Sequence, residues 1–272
     1  MRELDRNPTP TRCAIVGAGR LGTALAAALR ATGLEIDGPL TRDQAPDPGV
    51  DAVLLCVPDA EIAAAAASAP AGVLVGHCSG ANGLGVLDGR EAFSLHPLTT
   101  VTTGGPARFQ GVGAAVAGST TRALAFALDL AGRLGMRATV VDDADRAAYH
   151  AAASIASNFL VTLEAAAERI GATAGVDRAM LVPLVEAAVA NWAVLGPAGA
   201  LTGPIARGDV DTVAAHLAVL RGRTASTYAE LAGATVDLAA ADGRLDHTTA
   251  ERFHQVLAAG VLERDRTGEA PA

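Results

Sequence analysis

Short apolar runs alternate with amphipathic ones through the first half of the chain, and only the helical period survives in the second. Cys13–Val16, Asp51–Val57, Val73–Val75, Ala92–Leu95, Val112–Ala117 and Ala138–Val141 are near-continuous apolar stretches of strand length. Such runs are how strands buried on both faces of a parallel sheet read. Leu34–Leu40 predicts a further strand, weakened by Gly38 and Pro39. Helices are predicted at Arg20–Ala31, closed by Gly33, at Ala60–Ala69, capped by Asp59, and at Thr120–Leu134. Strands separated by helices predict a Rossmann-like, doubly wound parallel sheet.

Beyond residue 142 the strand signal stops. Asp143–Ile170 predicts one long helix ended by Gly171, and Val176–Leu195 a second despite Pro183. A loop rich in Gly and Pro follows at 196–208, then helices at Asp209–Arg221, Thr224–Ala241 and Asp246–Glu263. The fold class is therefore α/β plus all-α. A dinucleotide-binding domain is expected over 11–142 and a helical substrate and dimerisation domain over 143–264.

The Cys13–Arg30 stretch, CAIVGAGRLGTALAAALR, places G-x-G-x-x-G between a strand and a helix. That context gives the motif its weight. Gly17 allows the turn off the strand, Gly19 lets a pyrophosphate approach the backbone, and Gly22 lets helix and strand pack closely. Arg20 and Leu21, between the last two glycines, open the helix whose free N–H groups face the phosphates. The polar clusters at 41–43, 58–59, 77–80 and 96–100 all follow strands, so they should converge on one crevice at the strand ends. Val57, Pro58 and Ser79 belong to that crevice and are expected at the nicotinamide.

Asp37 has the spacing of the acidic residue that grips the ribose of NAD, but it falls mid-strand. Thr41 and Arg42 stand just past the strand end, where an arginine can take the 2′-phosphate of NADP in a bidentate grip. NADP(H) is the expected cofactor.

Composition narrows the chemistry. Half the residues are hydrophobic and 3% aromatic, so the core is built from Ala, Val and Leu. The net charge is −8 with no basic block, which argues against nucleic acid. All 21 basic residues are arginine, so every lysine-based mechanism is excluded. Cys13, Cys56 and Cys78 show neither metal nor disulfide spacing, which fits a reducing cytoplasm. No metal site is expected. The polar N-terminus and the TGEAPA tail are expected to be loose, without a signal peptide. No run of about 20 uncharged apolar residues is recognised, so no membrane span is expected.

His150, Ser154 and Asn158 recur every four residues and form one helical stripe. They suit either a site, with His150 as acid or base and Asn158 orienting a carbonyl, or an interhelical seam. His96 ends a buried strand before Pro97 and is a second candidate, with His77 behind it. Thr202 and Arg207, in a loop entering a helix, are candidates for a substrate carboxylate; Arg207 could equally tie the loop to its own domain. Asp209 caps the helix that follows. Trp192 is expected in a core or interface. Long, Ala-rich, weakly amphipathic helices need more apolar cover than one Rossmann domain offers, so a homodimer is expected.

GAGRLGTALA, DAVLLCVPDAEI, HCSGANGL, SLHPLTT, YHAAASIASNFL and LTGPIARGD together resemble one family across residues 11–262. It joins a Rossmann-like NADP-binding domain to a helical C-terminal domain long catalogued as of unknown function, within the 6-phosphogluconate dehydrogenase-like superfamily. The resemblance implies an oxidoreductase, and some members are understood to act as an alternative ketopantoate reductase in pantothenate synthesis. The expected substrate is a small 2-oxo acid. Reduction of a cyclic imine as in pyrroline-5-carboxylate reductase, a prephenate dehydrogenase-like reaction, and non-catalytic NADP binding are the alternatives. Relatives of the usual ketopantoate reductase type use a helix lysine, which this chain lacks. His150 is then the first candidate proton donor and His96 the second, and activity is expected to follow a histidine-like titration.

Overall fold

The protein is described from a computed structural model covering residues 10–102 and 108–267. The expected loose segments at the two ends lie largely outside those residues. The chain separates into two compact units, the first through Leu160 and the second from Val161.

The first unit is built on a seven-stranded sheet. Its strands are β1 (Arg12–Val16), β2 (Glu35–Leu40), β3 (Ala52–Leu55), β4 (Leu74–His77), β5 (Ala92–Pro97), β6 (Gly113–Gly118) and β7 (Arg137–Val140). They lie side by side in the order β2-β1-β3-β4-β5-β6-β7. The order reverses between β1 and β3, the place where such sheets open a crevice for a ligand. Helix α1 (Arg20–Ala31), the short α2 (Ile62–Ala66) and α3 (Thr121–Arg133) cover the faces.

Alternation along the strands sends successive side chains to opposite faces. Cys13 and Ile15 join Leu25, Leu29, Phe126 and Leu130 in one layer, and Ala14 and Val53 join Ile62 and Leu87 in the other. Phe93 meets Phe126 edge-on at 5.2 Å. Gly76 on the neighbouring strand makes room, because a Cβ there would lie 2.4 Å from the Phe93 ring. Emptying such a place, as in Phe126→Ala, costs about 3–5 kcal/mol.

Two expectations about this unit are corrected. The sheet is mixed: β5 pairs antiparallel with β6, and every other pairing is parallel. Residues 98–102 and 108–112 are not helical, and an antiparallel return needs no crossover helix. Asp59 does not cap a helix through its side chain; it opens a 3-10 turn, Asp59–Glu61, ahead of α2, and its carboxylate takes the Ser79 hydroxyl at 2.9 Å.

Helix α4 (Arg146–Ser154) follows a 3-10 turn and runs into a π-helical segment, Ile155–Phe159. The predicted single helix from Asp143 is thus broken into three conformations. The division expected at 142/143 marks where the strands stop; the compact units part at Leu160. Arg146 explains this, being buried with a hydrogen bond to the Ser79 carbonyl and another to the Ser94 hydroxyl.

The second unit contains α5 (Leu160–Ala172, entering at Val161), α6 (Arg178–Ala200), α7 (Gly203–Ala206), α8 (Val210–Val219), α9 (Gly222–Ala241) and α10 (His247–Thr267). Val213, Leu217, Val236 and Phe253 form the centre of a core shared by α8, α9 and α10. Asp209 caps α8 by accepting the Thr212 N–H at 3.0 Å, as its position predicts. Helix α6 breaks at Gly196, which sits at φ +72°, where the predicted 196–208 loop begins, and helical turns continue to Ala200. No residue of α5 or α6 is buried. Trp192 is 57% exposed and Val194 82%. By length and composition α6 is also long and apolar enough to cross a membrane, which the expectation of no such run did not foresee.

Candidate active site

The glycine loop has the geometry its sequence predicts. Gly17 sits at φ +113°, and a Cβ there would lie 2.3 Å from the Cys56 carbonyl oxygen. A Cβ on Gly22 would lie 1.9 Å from the carbonyl oxygen of Gly17, so helix and loop touch backbone to backbone. Gly19 differs: nothing stands within 4 Å of where its Cβ would be. Its bareness therefore serves no internal packing and leaves open space above the loop. The first turn of α1 holds no acidic residue and its N-terminus has no side-chain cap, so the N–H groups there are ready for an anion. These residues fit a dinucleotide pyrophosphate.

Three cavities run in sequence along the strand ends. The first, about 590 Å³, is lined by Gly17, Gly19, Thr41, Arg42, Val57 and Pro58 among others. The second, about 440 Å³, shares Gly19, Val57 and Pro58 with it and adds Arg20, Leu21, Ser79 and His96. The third, about 760 Å³, shares His96, Pro97 and Thr99 with the second and adds Tyr149, His150, Ser154 and Asn158. Shared walls make them one groove, with the glycine loop towards one end and His96 at the last junction.

At the first end, Arg42 donates to Glu61 at 2.7 Å, and Thr41 donates from both N–H and hydroxyl to Gln44 Oε1 at 2.8 and 3.0 Å. The donors expected at a 2′-phosphate thus point at oxygen acceptors already. Asp37 is engaged elsewhere, its carboxylate accepting the Asp47 N–H at 2.9 Å.

In the middle, the Ser79 hydroxyl donates to Asp59 and accepts the Asn82 N–H at 2.9 Å. His77 beneath is structural: its Nδ1 accepts the Ser79 N–H and its Nε2 lies 3.2 Å from the Gly83 carbonyl, so both ring nitrogens are occupied. Burial pushes its pKa down, with the nearby Arg146 charge adding to the effect.

At the junction, His96 Nδ1 lies 2.6 Å from the Tyr149 hydroxyl. Burial lowers the His96 pKa to about 4, and the His150 and Arg146 charges push the same way. His96 is therefore a neutral imidazole at pH 7. Burial also raises the Tyr149 phenol. The His150 ring is exposed and stands 6.4 Å from that of His96. His150, Ser154 and Asn158 all line the third cavity, as one stripe should. Ser157, beside them, returns its hydroxyl to the Ala153 carbonyl at 2.7 Å.

Residues 112–235 match a family model described as a domain of unknown function, DUF2520. No curated protein matches the sequence. Among solved structures, a Bacteroides fragilis protein provisionally named an NADP oxidoreductase is 20% identical with a TM-score of 0.72, covering 84% of this chain and 98% of its own. A Thermotoga maritima protein is 23% identical with a TM-score of 0.69, over 85% and 99%. A Plasmodium falciparum pyrroline carboxylate reductase with NADP bound is 12% identical with a TM-score of 0.51, over 90% and 98%. At these identities the likeness is one of fold: a Rossmann-like sheet followed by a helical region, shared with NADP oxidoreductases.

Of the residues expected in the site, Gly17, Gly19, Arg20, Leu21, Thr41, Arg42, Val57, Pro58, Ser79, His96, His150, Ser154 and Asn158 line the groove. Gly22 supports it from below. Thr202 and Arg207 flank α7 in the helical unit, Arg207 exposed and close enough to Asp209 to lower that carboxyl's pKa, behind the larger effect of Thr212. Sequence reasoning placed Asp59 at the strand-end crevice without a role and did not assign Tyr149 or Arg146 to the site. Tyr149 directly precedes His150 in the sequence, but only the pairing of α4 with β5 reveals its bond to His96. Arg146 carried no motif, and a burial of this kind is invisible in one dimension.

Proposed function

We propose that the protein is an NADPH-dependent reductase of a small 2-oxo acid, with 2-dehydropantoate (ketopantoate) as the first substrate to test. The continuous groove from the glycine loop to His96 carries this reading. The dinucleotide's pyrophosphate is assigned to Gly17–Gly22, its 2′-phosphate to Thr41 and Arg42, and its nicotinamide to the stretch between Val57-Pro58 and Ser79. When bound, that ring supplies the hydride. The substrate then occupies the cavity beyond His96, where Asn158 and Ser154 orient its carbonyl. Thr202 and Arg207 of the helical unit are kept as candidates for the substrate carboxylate on their sequence alone, and Arg207→Ala, expected to raise KM for the 2-oxo acid, tests them. The proton is assigned to the group formed by His96 and its helix neighbours, His150 included.

Helices α5 and α6, without a buried residue between them, are assigned to a homodimer interface. Water-exposed apolar faces of this extent mark a surface that another chain covers.

A thermal-shift comparison of NADPH with NADH tests the cofactor. NADPH oxidation is then followed with ketopantoate and a cyclic imine, and NADP+ reduction with prephenate. Turnover of the imine alone favours the pyrroline-5-carboxylate reductase-like alternative. NADPH binding without turnover of any compound favours a binding protein.

A further inference from the structure

We propose that Tyr149 delivers the proton to the substrate oxygen, that His96 reprotonates it through Nδ1, and that the buried Arg146 positions the pair. This rests on the reductase reading above.

Two helix residues dock on two strand residues. Arg146 and Tyr149 are three apart, on one face of α4. Ser94 and His96 are two apart, on one face of β5. Arg146 Nη2 donates to the Ser94 hydroxyl, and the Tyr149 hydroxyl meets His96 Nδ1 at 2.6 Å. Arg146 also donates to the Ser79 carbonyl at 3.3 Å and pairs with Asp143 at 3.3 Å. At 1% exposure it is the largest fully buried side chain among the described residues. These bonds fix α4 to the ends of β4 and β5, and Tyr149 follows from that register.

The pair stands where the chemistry must occur. His96 belongs to both the middle cavity and the one beyond it, and Tyr149 to the latter. The His96 and Tyr149 rings meet edge to face at 85° with centroids 5.6 Å apart.

Charge determines how His96 works. It is faced by Arg146, His150 and Tyr149 from α4, by His77 from β4 and by Asp59 from the turn after β3. Only Asp59 favours a positive imidazole. A neutral imidazole is a poor net proton donor but a good relay, since it takes a proton at one nitrogen while releasing one from the other. In the Nδ1–H tautomer His96 donates to the Tyr149 oxygen and leaves the Tyr149 O–H for the substrate. As the carbonyl carbon accepts hydride, the Tyr149 O–H bond breaks and its proton goes to the new alkoxide. The Nδ1 proton moves to the Tyr149 oxygen, and Nε2 takes one from water in the cavity. Both residues end neutral, His96 as the other tautomer, and one solvent proton has been consumed.

The test uses the full chain, with NADPH, ketopantoate and a cyclic imine. Tyr149→Phe is expected to lower kcat by about 100-fold or more, within the usual range for a lost general acid. NADPH affinity by fluorescence and the melting temperature should stay near wild type. Arg146→Gln should move the acid limb of kcat/KM to higher pH, because it removes one of the positive groups that disfavour a charged His96. Should it fail to fold, Ser94→Ala, which removes a single contact of Arg146, is expected to lower kcat several-fold at unchanged NADPH affinity. Wild-type kcat in Tyr149→Phe overturns the proposal and leaves the reductase reading standing. A wild-type pH profile in folded Arg146→Gln, or wild-type kcat in Ser94→Ala, overturns the role of Arg146. Wild-type protein that fails to oxidise NADPH with every compound overturns proposal and reading together.

Discussion

The backbone of Gly80 lies against the ring of His96: a Cβ on Gly80 would stand 2.8 Å from His96 Cε1 and 2.9 Å from Nε2. The same Cβ would stand 2.9 Å from His150 Cδ2. Gly80→Ala must therefore displace both histidines, and overpacking of this kind costs about 1–3 kcal/mol. Turnover should fall more than tenfold while NADPH affinity changes little, because the glycine loop is on another strand. Steady-state kinetics with a fluorescence titration of NADPH check this.

Gly19 and Gly22 should separate folding from binding. Gly19→Val meets open space and is expected to leave the melting temperature within a few degrees while weakening NADPH at least tenfold. Gly22→Ala meets the Gly17 carbonyl oxygen at 1.9 Å and is expected to lower the melting temperature itself. Thermal unfolding with and without NADPH resolves the two. Equal NADPH affinity in Gly19→Val and wild type would move the pyrophosphate off this loop.

Arg42 lies at the far end of the groove, paired with Glu61 across 2.7 Å and 80% exposed on its side chain. An exposed pair of this kind contributes little to stability, so Arg42→Ala should fold normally. It should weaken NADPH about tenfold or more and leave NADH nearly unchanged. An unaltered NADPH-to-NADH affinity ratio would remove Arg42 from the 2′-phosphate site.

Acid should weaken the fold through His96. Its pKa is lowered on folding from 6.5 to about 4, by burial first and by the neighbouring positive groups next. The unfolded chain therefore binds a proton that the folded one refuses. The stability held by the neutral ring is complete above pH 6.5 and declines as pH falls to about 4, by up to roughly 3 kcal/mol. The buried His77 shifts in the same direction. The lowered carboxyls of Asp47, Asp51, Glu168, Asp209 and Asp246 lose their own contributions as pH falls through the ordinary carboxylate range, so they overlap only the acid end of this window. Urea unfolding at pH 7 and 4.5 should show the loss, and His96→Gln should reduce it. With this shift His96 itself is expected to contribute no limb to activity between pH 5 and 9.

Helix α6 should join two copies. Light scattering is expected to give the mass of a dimer, and Leu184→Arg with Val194→Asp should yield a monomer or an aggregate. A monomeric wild-type mass would require another cover for this face.

The strands, the helices and the order of the polar strand ends were legible because burial leaves a period in the sequence. The glycine loop was legible for a similar reason: each glycine answers a local backbone demand, and Gly17, Gly19 and Gly22 differ only in what surrounds them. The antiparallel return of β6 was not legible, since hydrophobic runs carry no direction. Nor was the π-helical segment, whose residues look like any Ala-rich helix.

The sequence by itself determined a nucleotide-type crevice, its glycine floor, Arg42 at its rim and the absence of any lysine for catalysis. Those are properties of residue type and short-range spacing. Only the tertiary structure decided that Tyr149 meets His96 and that Arg146 is buried beneath them. Residues 94–96 and 146–149 are about 50 positions apart, and their meeting depends on how α4 docks across β5. The state of His96 was decided there too, because an imidazole's charge depends on burial and on neighbours that distant segments bring to it.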